Sequence, residues 1–175
     1  MARFASEMTA GDERVEALDG EWRAAGVVTR AEMRRRNLRH RAVYVLVLSR
    51  DGRLLTHRRA DWKDVWPSRW DVAFGGVAAV GEAPEDTAHR ELAEEAGVTA
   101  ALRRLGEGAY EDGDVRVIGD TFLARCDGPF RFADGEVVET AWVAPAELDA
   151  WLAARATTPD SVRIALPLLR AASWT

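Results

Sequence analysis

The apolar positions of this chain fall into short blocks whose pattern changes along its length. Residues 41–49 (RAVYVLVLS) are almost continuously β-branched, aliphatic or aromatic, which predicts a buried strand. Asp51-Gly52 supplies a tight-turn signal, and 53–59 (RLLTHRR) reads as the returning strand of a hairpin. Residues 61–68, punctuated by Pro67, read as a loop, and two short apolar runs at 70–74 and 77–80 flank Gly75-Gly76. A helix is predicted next. Pro84 suits its first position, Glu85 and Asp86 complement the dipole of its first turn, and Gly97 stands where it should stop. Residues 101–110 and 115–125 read as strands joined through Asp112-Gly113, and 136–143 as one more. Residues 145–155 and 159–172 close the chain as two helices with apolar faces. Strands interleaved with one central helix and followed by two more predict an α/β or α+β sandwich, not a solenoid or a bundle. Residues 1–12 are expected to fray, and 13–175 to form one domain.

Composition narrows the class. The 175 residues are 47% hydrophobic and 30% charged, enough apolar surface for a real core and too much for a disordered chain. No run approaches the roughly 20 apolar residues of a spanning helix, so no membrane partner is expected. The net charge of −5 argues against nucleic acid as the default partner. The opening residues carry acids and no apolar core of a signal peptide, and the single cysteine, Cys126, offers neither a disulfide nor a cysteine-rich zinc site. A cytoplasmic setting is the expectation. His40, His57 and His89 show no metal-ligand spacing.

The segment 76–98 (GVAAVGEAPEDTAHRELAEEAGV) carries the chemistry. At about 100° per residue, Glu94 lies near −60° and Glu95 near +40° from Glu91, so three carboxylates share one sector of the predicted helix. Such a sector is either a solvated acidic face with Arg90 as counter-ion or a site for a hard cation such as Mg²⁺ or Mn²⁺, which takes oxygen ligands.

Spacing separates these readings. Gly76, Glu82, Arg90, Glu91, Leu92, Glu94, Glu95, Gly97 and Val98 fill every fixed place of the signature of the Nudix hydrolases, and the chain resembles that family. The resemblance implies an α/β/α sandwich with a central mixed sheet, the signature forming a loop-helix-loop. It also implies water-driven hydrolysis of a diphosphate bond in a nucleoside diphosphate derivative or related small molecule, assisted by Mg²⁺ or Mn²⁺. Glu94 and Glu95 would be metal ligands, joined by the Gly75 carbonyl. Glu91 would bind a further cation or deprotonate the attacking water, with Arg90 holding it. Glu82 would support the loop and add to the metal shell. Family members often recruit one more carboxylate, for which Glu139 is the candidate and Glu136 its rival; a plain surface glutamate is the other reading of Glu139.

A second resemblance, carried by 40–47 (HRAVYVLV), 54–70 (LLTHRRADWKDVWPSRW) and 26–30 (GVVTR), is to the isopentenyl-diphosphate isomerase subgroup. It implies that Arg59 and Lys63, the sole lysine, grip a diphosphate. Gly75 stands where those isomerases need a cysteine, and the signature here is complete where theirs is degenerate, so hydrolysis is favoured over isomerisation. A ligand-binding Nudix domain without catalysis is the remaining alternative. Trp62 and Trp66 are expected either to contact the substrate or to pack, and Trp70 and Phe74 to belong to the core. The run of Arg30, Arg34, Arg35, Arg36, Arg39 and Arg41 reads as a solvated helix face or as a subunit contact, the latter giving a homodimer.

Overall fold

The computed structural model describes residues 10–172 and Trp174. Most of the terminus expected to fray therefore lies outside the described residues; 10–12 form a short 3-10 turn. The central sheet is built around β3 (His40–Leu48), which pairs in parallel with β7 (Arg116–Arg125), and β7 pairs antiparallel with β6 (Leu102–Glu111). On the other side stand β4 (Leu54–Arg59), the two-residue β5 (Trp70–Asp71) and β8 (Val137–Val143), the latter two both antiparallel to β4. The sheet is mixed, as expected.

Strand alternation on β3 builds two cores. Val43, Val45 and Val47 face the helix α2 (Pro84–Ala96) and pack with its Ala88, Leu92 and Ala96. Tyr44, Leu46 and Leu48 face the other way, toward Ile164, Ala165 and Leu169 of α4 (Pro159–Ala171). Both faces of β3 are covered, which explains its unbroken apolar run. Helix α2 begins with Pro84 and stops at Gly97, whose φ of 67° caps the helix with an N–H···O bond to Ala93 at 3.1 Å.

Three departures from the sequence expectation matter for the site. The run 70–74 is a strand only over Trp70–Asp71, and 77–80 is not a strand at all. Instead β4 pairs with β3 only at Leu48–Leu54, and residues 74–78 line the remaining edge of β3 through Val45 N–H to Phe74 O (2.6 Å) and Val43 N–H to Gly76 O (3.0 Å). Second, 145–155 divides into a 3-10 turn and α3 (Leu148–Ala153). Third, residues before β3, to which the hydrophobic pattern gave no elements, form a separate hairpin of β1 (Arg14–Leu18) and β2 (Ala24–Thr29), followed by α1 (Arg30–Arg35). The Thr29 hydroxyl caps α1 by accepting the Glu32 N–H at 3.2 Å. No described helix is long and apolar enough to cross a membrane.

Candidate active site

Helix α2 buries Glu91 and Glu95 on the same face as Ala88, Leu92 and Ala96, leaving Glu94 at its exposed edge. The residues that make this tolerable are the two glycines opposite. A Cβ on Gly76 would lie 2.6 Å from the Glu91 carboxylate, and one on Gly75, whose φ is +153°, would lie 2.0 Å from the Val43 carbonyl oxygen. The 74–78 segment therefore passes flush between β3 and the helix, close against the β3 backbone at Gly75 and against the Glu91 carboxylate at Gly76. Gly75 N–H donates to Glu95 Oε2 at 3.1 Å.

Arg90 organises the acids. Its Nε and Nη2 donate to the two oxygens of Glu82, each at 2.9 Å, and its Nη1 donates to Glu91 at 2.7 Å and Glu94 at 3.3 Å. Glu82 also accepts the Ala79 N–H at 3.2 Å. The Arg90 fork holds the Glu82 carboxyl at about 2. Burial pushes Glu91 up, against the pull of Arg90. Burial, reinforced by the Glu91 charge, pushes Glu95 far above the ordinary carboxylate range. Two acids are thus held where water solvates them poorly, a cost that a cation would relieve. Among the described residues no three acidic, histidine or cysteine side chains stand in a ready-made coordination geometry, and Arg90 engages both Glu91 and Glu94. The donor set itself is all oxygen, with the Gly75 backbone beside it, and fits a hard divalent cation.

Glu91, Glu94, Glu95, Arg90 and the two glycines line one side of a cavity of about 450 Å³. Arg59 and Lys63 line it as well, from β4 and the following loop. Lys63, with 9% of its side chain exposed, pairs with Glu136, and although burial raises the Glu136 carboxyl, that pairing carries it below its usual range. Arg59 donates through Nη2 to Val65 O at 2.9 Å, with Nη1 3.7 Å from Asp71.

The structure does not bring every expected residue together. Glu139 is outside the cavity: it is exposed and bonds Arg58 at 3.0 Å across the β4–β8 pair, while its rival Glu136 lines the site. Glu139 stands opposite Arg58 in the regular part of the ladder, three residues from Glu136, and a bulge at residue 138 follows, where Arg59 faces Val137. Glu82 is likewise absent from the lining, its carboxylate being committed to Arg90. Trp62 is 61% exposed and outside the lining, with its ring 5.8 Å from Lys63 Nζ, whereas Trp66 lines the cavity. Cys126 is not at the site; its Sγ accepts the Gly128 N–H at 3.3 Å.

Sequence reasoning missed a polar cluster on the α4 side of β3. Tyr44 O–H donates to Asp160 Oδ2 at 3.0 Å, and both residues line the cavity with Asp71 and Arg34. A tyrosine within an otherwise aliphatic strand was the available signal. The arginine run is not one solvated face either: Arg30, Arg36 and Arg39 pair with Glu13, Glu32 and Glu111, while Arg34 points into the cavity wall.

The NUDIX domain model matches residues 38–163. The chain is 34% identical over 155 residues to the uncharacterized Nudix hydrolase YfcD of Escherichia coli K12, covering 88% of this chain and 85% of that one. Its fold is similar to the crystal structure of DR0079 from Deinococcus radiodurans, with a TM-score of 0.76 and 24% identity over 90% of this chain and 98% of the other. It is also similar in fold to the NUDIX domain of Shewanella oneidensis NrtR, solved with ADP ribose, with a TM-score of 0.56 and 17% identity over 70% and 81% of the two chains. With the family's full signature laid along α2 and the loop before it, the chain belongs to the Nudix hydrolases.

Proposed function

We propose that this chain hydrolyses a diphosphate bond in a nucleoside diphosphate derivative or related small molecule, by attack of water on phosphorus and with a divalent cation as cofactor. The observation that carries this reading is the placing of two buried acids, Glu91 and Glu95, and two cations, Arg59 and Lys63, around one cavity. Glu91, Glu94, Glu95 and the Gly75 carbonyl would hold Mg²⁺ or Mn²⁺. When bound there, the cation supplies charge neutralisation for the diphosphate oxygens and acidifies water. Arg59 and Lys63 bind the diphosphate oxygens. Arg90 keeps the Glu91 and Glu94 carboxylates in position, and Glu82 in turn fixes the guanidinium of Arg90 with two bonds. Glu136, held ionised by Lys63, can accept the proton of the attacking water, a role for which Glu91 is the other group on hand.

The likeness to isopentenyl-diphosphate isomerases is, on this reading, one of diphosphate grip and not of reaction. Gly75 offers no thiol, and Cys126 does not line the cavity. The test is Glu95→Gln, assayed by phosphate or nucleotide release from a panel of dinucleotides, nucleotide sugars, nucleoside diphosphates and prenyl diphosphates with Mg²⁺ or Mn²⁺. Turnover should fall by at least about 10²-fold with an unchanged melting profile, the usual scale for losing a key electrostatic group. Equal turnover in the folded variant removes the mechanism.

A further inference from the structure

The cavity runs from the acids of α2 to the opposite side of β3, and there it is lined by polar groups that the hydrolytic reading leaves unused. Arg34 comes in from α1. Its guanidinium makes no hydrogen bond among the described residues, and its Nε lies 3.4 Å from Asp64 without hydrogen-bond geometry. Burial pushes its pKa down, a sign of a charge held without adequate solvation. Trp66 Nε1 is buried with no acceptor. Asp160 accepts Tyr44 O–H on Oδ2 but has no donor for Oδ1, which is buried. Trp66 also holds φ at 52°, a left-handed backbone that a bulky side chain adopts only when its surroundings impose it.

These groups define what would satisfy them. Each buried polar atom left without a partner is destabilising. A prenyl chain would leave all three unpaired. A further phosphate would meet Asp64, Asp71 and Asp160 as well as Arg34 and Arg59, so the wall does not select an anion. A flat neutral group with acceptors beside an N–H donor satisfies Arg34 and Trp66 with its acceptors and Asp160 with its donor. Nucleobase edges carry that pattern, and a cavity of about 450 Å³ is of nucleotide size.

We propose that Arg34, Trp66 and Asp160 form a subsite that reads the edge of the substrate's base and sets which base is accepted. This rests on the hydrolase reading above for where the diphosphate lies. Its logic is that of sites built to hydrogen-bond a substrate, which reject analogues lacking the matching groups far better than apolar pockets do.

The test uses the α,β-methylene analogues of CDP, UDP, ADP and GDP, with methylenediphosphonate as the base-free probe and isopentenyl diphosphate as the apolar one. Binding is measured by calorimetry in the presence of Mg²⁺. In the wild type, at least one nucleotide should bind at least about tenfold tighter than methylenediphosphonate. Arg34→Ala should collapse that ratio, and Arg34→Lys, which keeps the charge but not the planar fork, should recover only part of it. Asp160→Asn exchanges an acceptor for a mixed group and should reorder the bases, which a merely structural role would not do. The proposal is overturned if no nucleotide exceeds methylenediphosphonate, if isopentenyl diphosphate binds tighter than every nucleotide, or if a folded Arg34→Ala keeps the full ratio. Failure of methylenediphosphonate itself to bind would instead bring down the diphosphate reading.

Discussion

Replacing Gly76 by alanine separates the work of the site from the stability of the fold. The added methyl would stand 2.6 Å from the carboxyl carbon and both oxygens of Glu91. Ordinary contact begins at about 3.4 Å, so the carboxylate must move by roughly 0.8 Å. The three nearest atoms all belong to the far end of one flexible side chain, and no left-handed φ is demanded. The variant should therefore fold, with stability within about 1 kcal/mol of wild type, since the loss of a glycine's freedom in the unfolded chain offsets part of the strain. Catalysis should suffer much more, because displacements near 1 Å at a reacting centre cost on the order of 10²-fold. Gly75→Ala is the contrast. Its methyl would meet the Val43 carbonyl oxygen at 2.0 Å, on a φ of +153°, and neither the backbone of β3 nor that φ can yield cheaply. A loss of about 3 kcal/mol is expected, or roughly 6–12 °C in melting temperature at about 2–4 °C per kcal/mol. Paired assays of kcat and calorimetric melting on the two variants decide the matter. A Gly76→Ala enzyme with wild-type turnover, or one as unstable as Gly75→Ala, would refute the claim that this glycine exists to seat the Glu91 carboxylate.

Other consequences follow from the same geometry. Glu136→Gln should lower kcat by about 10-fold or more, whereas Glu139→Ala, which breaks only an exposed pair with Arg58, should alter kcat by less than about twofold and stability by under about 1 kcal/mol. Arg90→Met leaves the buried Glu91 without its counter-ion and should cost on the order of 3 kcal/mol in urea unfolding. Leu92→Ala, at a fully buried position of α2, should cost about 2–5 kcal/mol in the same assay. Burial, aided by the Arg34 charge, brings His40 down to about 4 from its ordinary 6.5. The unfolded chain then binds the proton more readily than the folded one between these values, so this group's stabilisation is complete above pH 6.5 and is lost as pH falls toward 4. The difference of about 2.5 pH units amounts to about 3 kcal/mol, and unfolding midpoints of wild type and His40→Gln measured from pH 4 to 7.5 should converge in slope only above 6.5.

What could be read from the sequence was what depends on local spacing. The acid pattern of α2, its start at Pro84 and its end at Gly97 are properties of residues one or two turns apart, and a helix repeats them faithfully. The buried run of β3 was legible for a similar reason, because coverage on both faces leaves no polar position to mask it. Arrangements that depend on a distant partner were not legible. The partnership of Glu139 with Arg58 exists only in the pairing of β8 with β4, and nothing in EVVETAW announces it. The short β5 and the irregular path of 74–78 depend on how β4 leaves β3 after a single pair at Leu48–Leu54. Arg34 was one cation in a run of arginines, and Asp160 one acid in a first helical turn, each with a sufficient local explanation. Only the fold sets them on the same cavity wall as Tyr44, more than a hundred residues before Asp160. The division is physically reasonable. Chemistry common to a family can be concentrated in one rigid helix and its leading loop, where spacing alone preserves it. On the proposed reading, recognition of a particular substrate is assembled from separate elements, α1, the loop after β4 and the start of α4, each able to change without disturbing the helix that carries the acids.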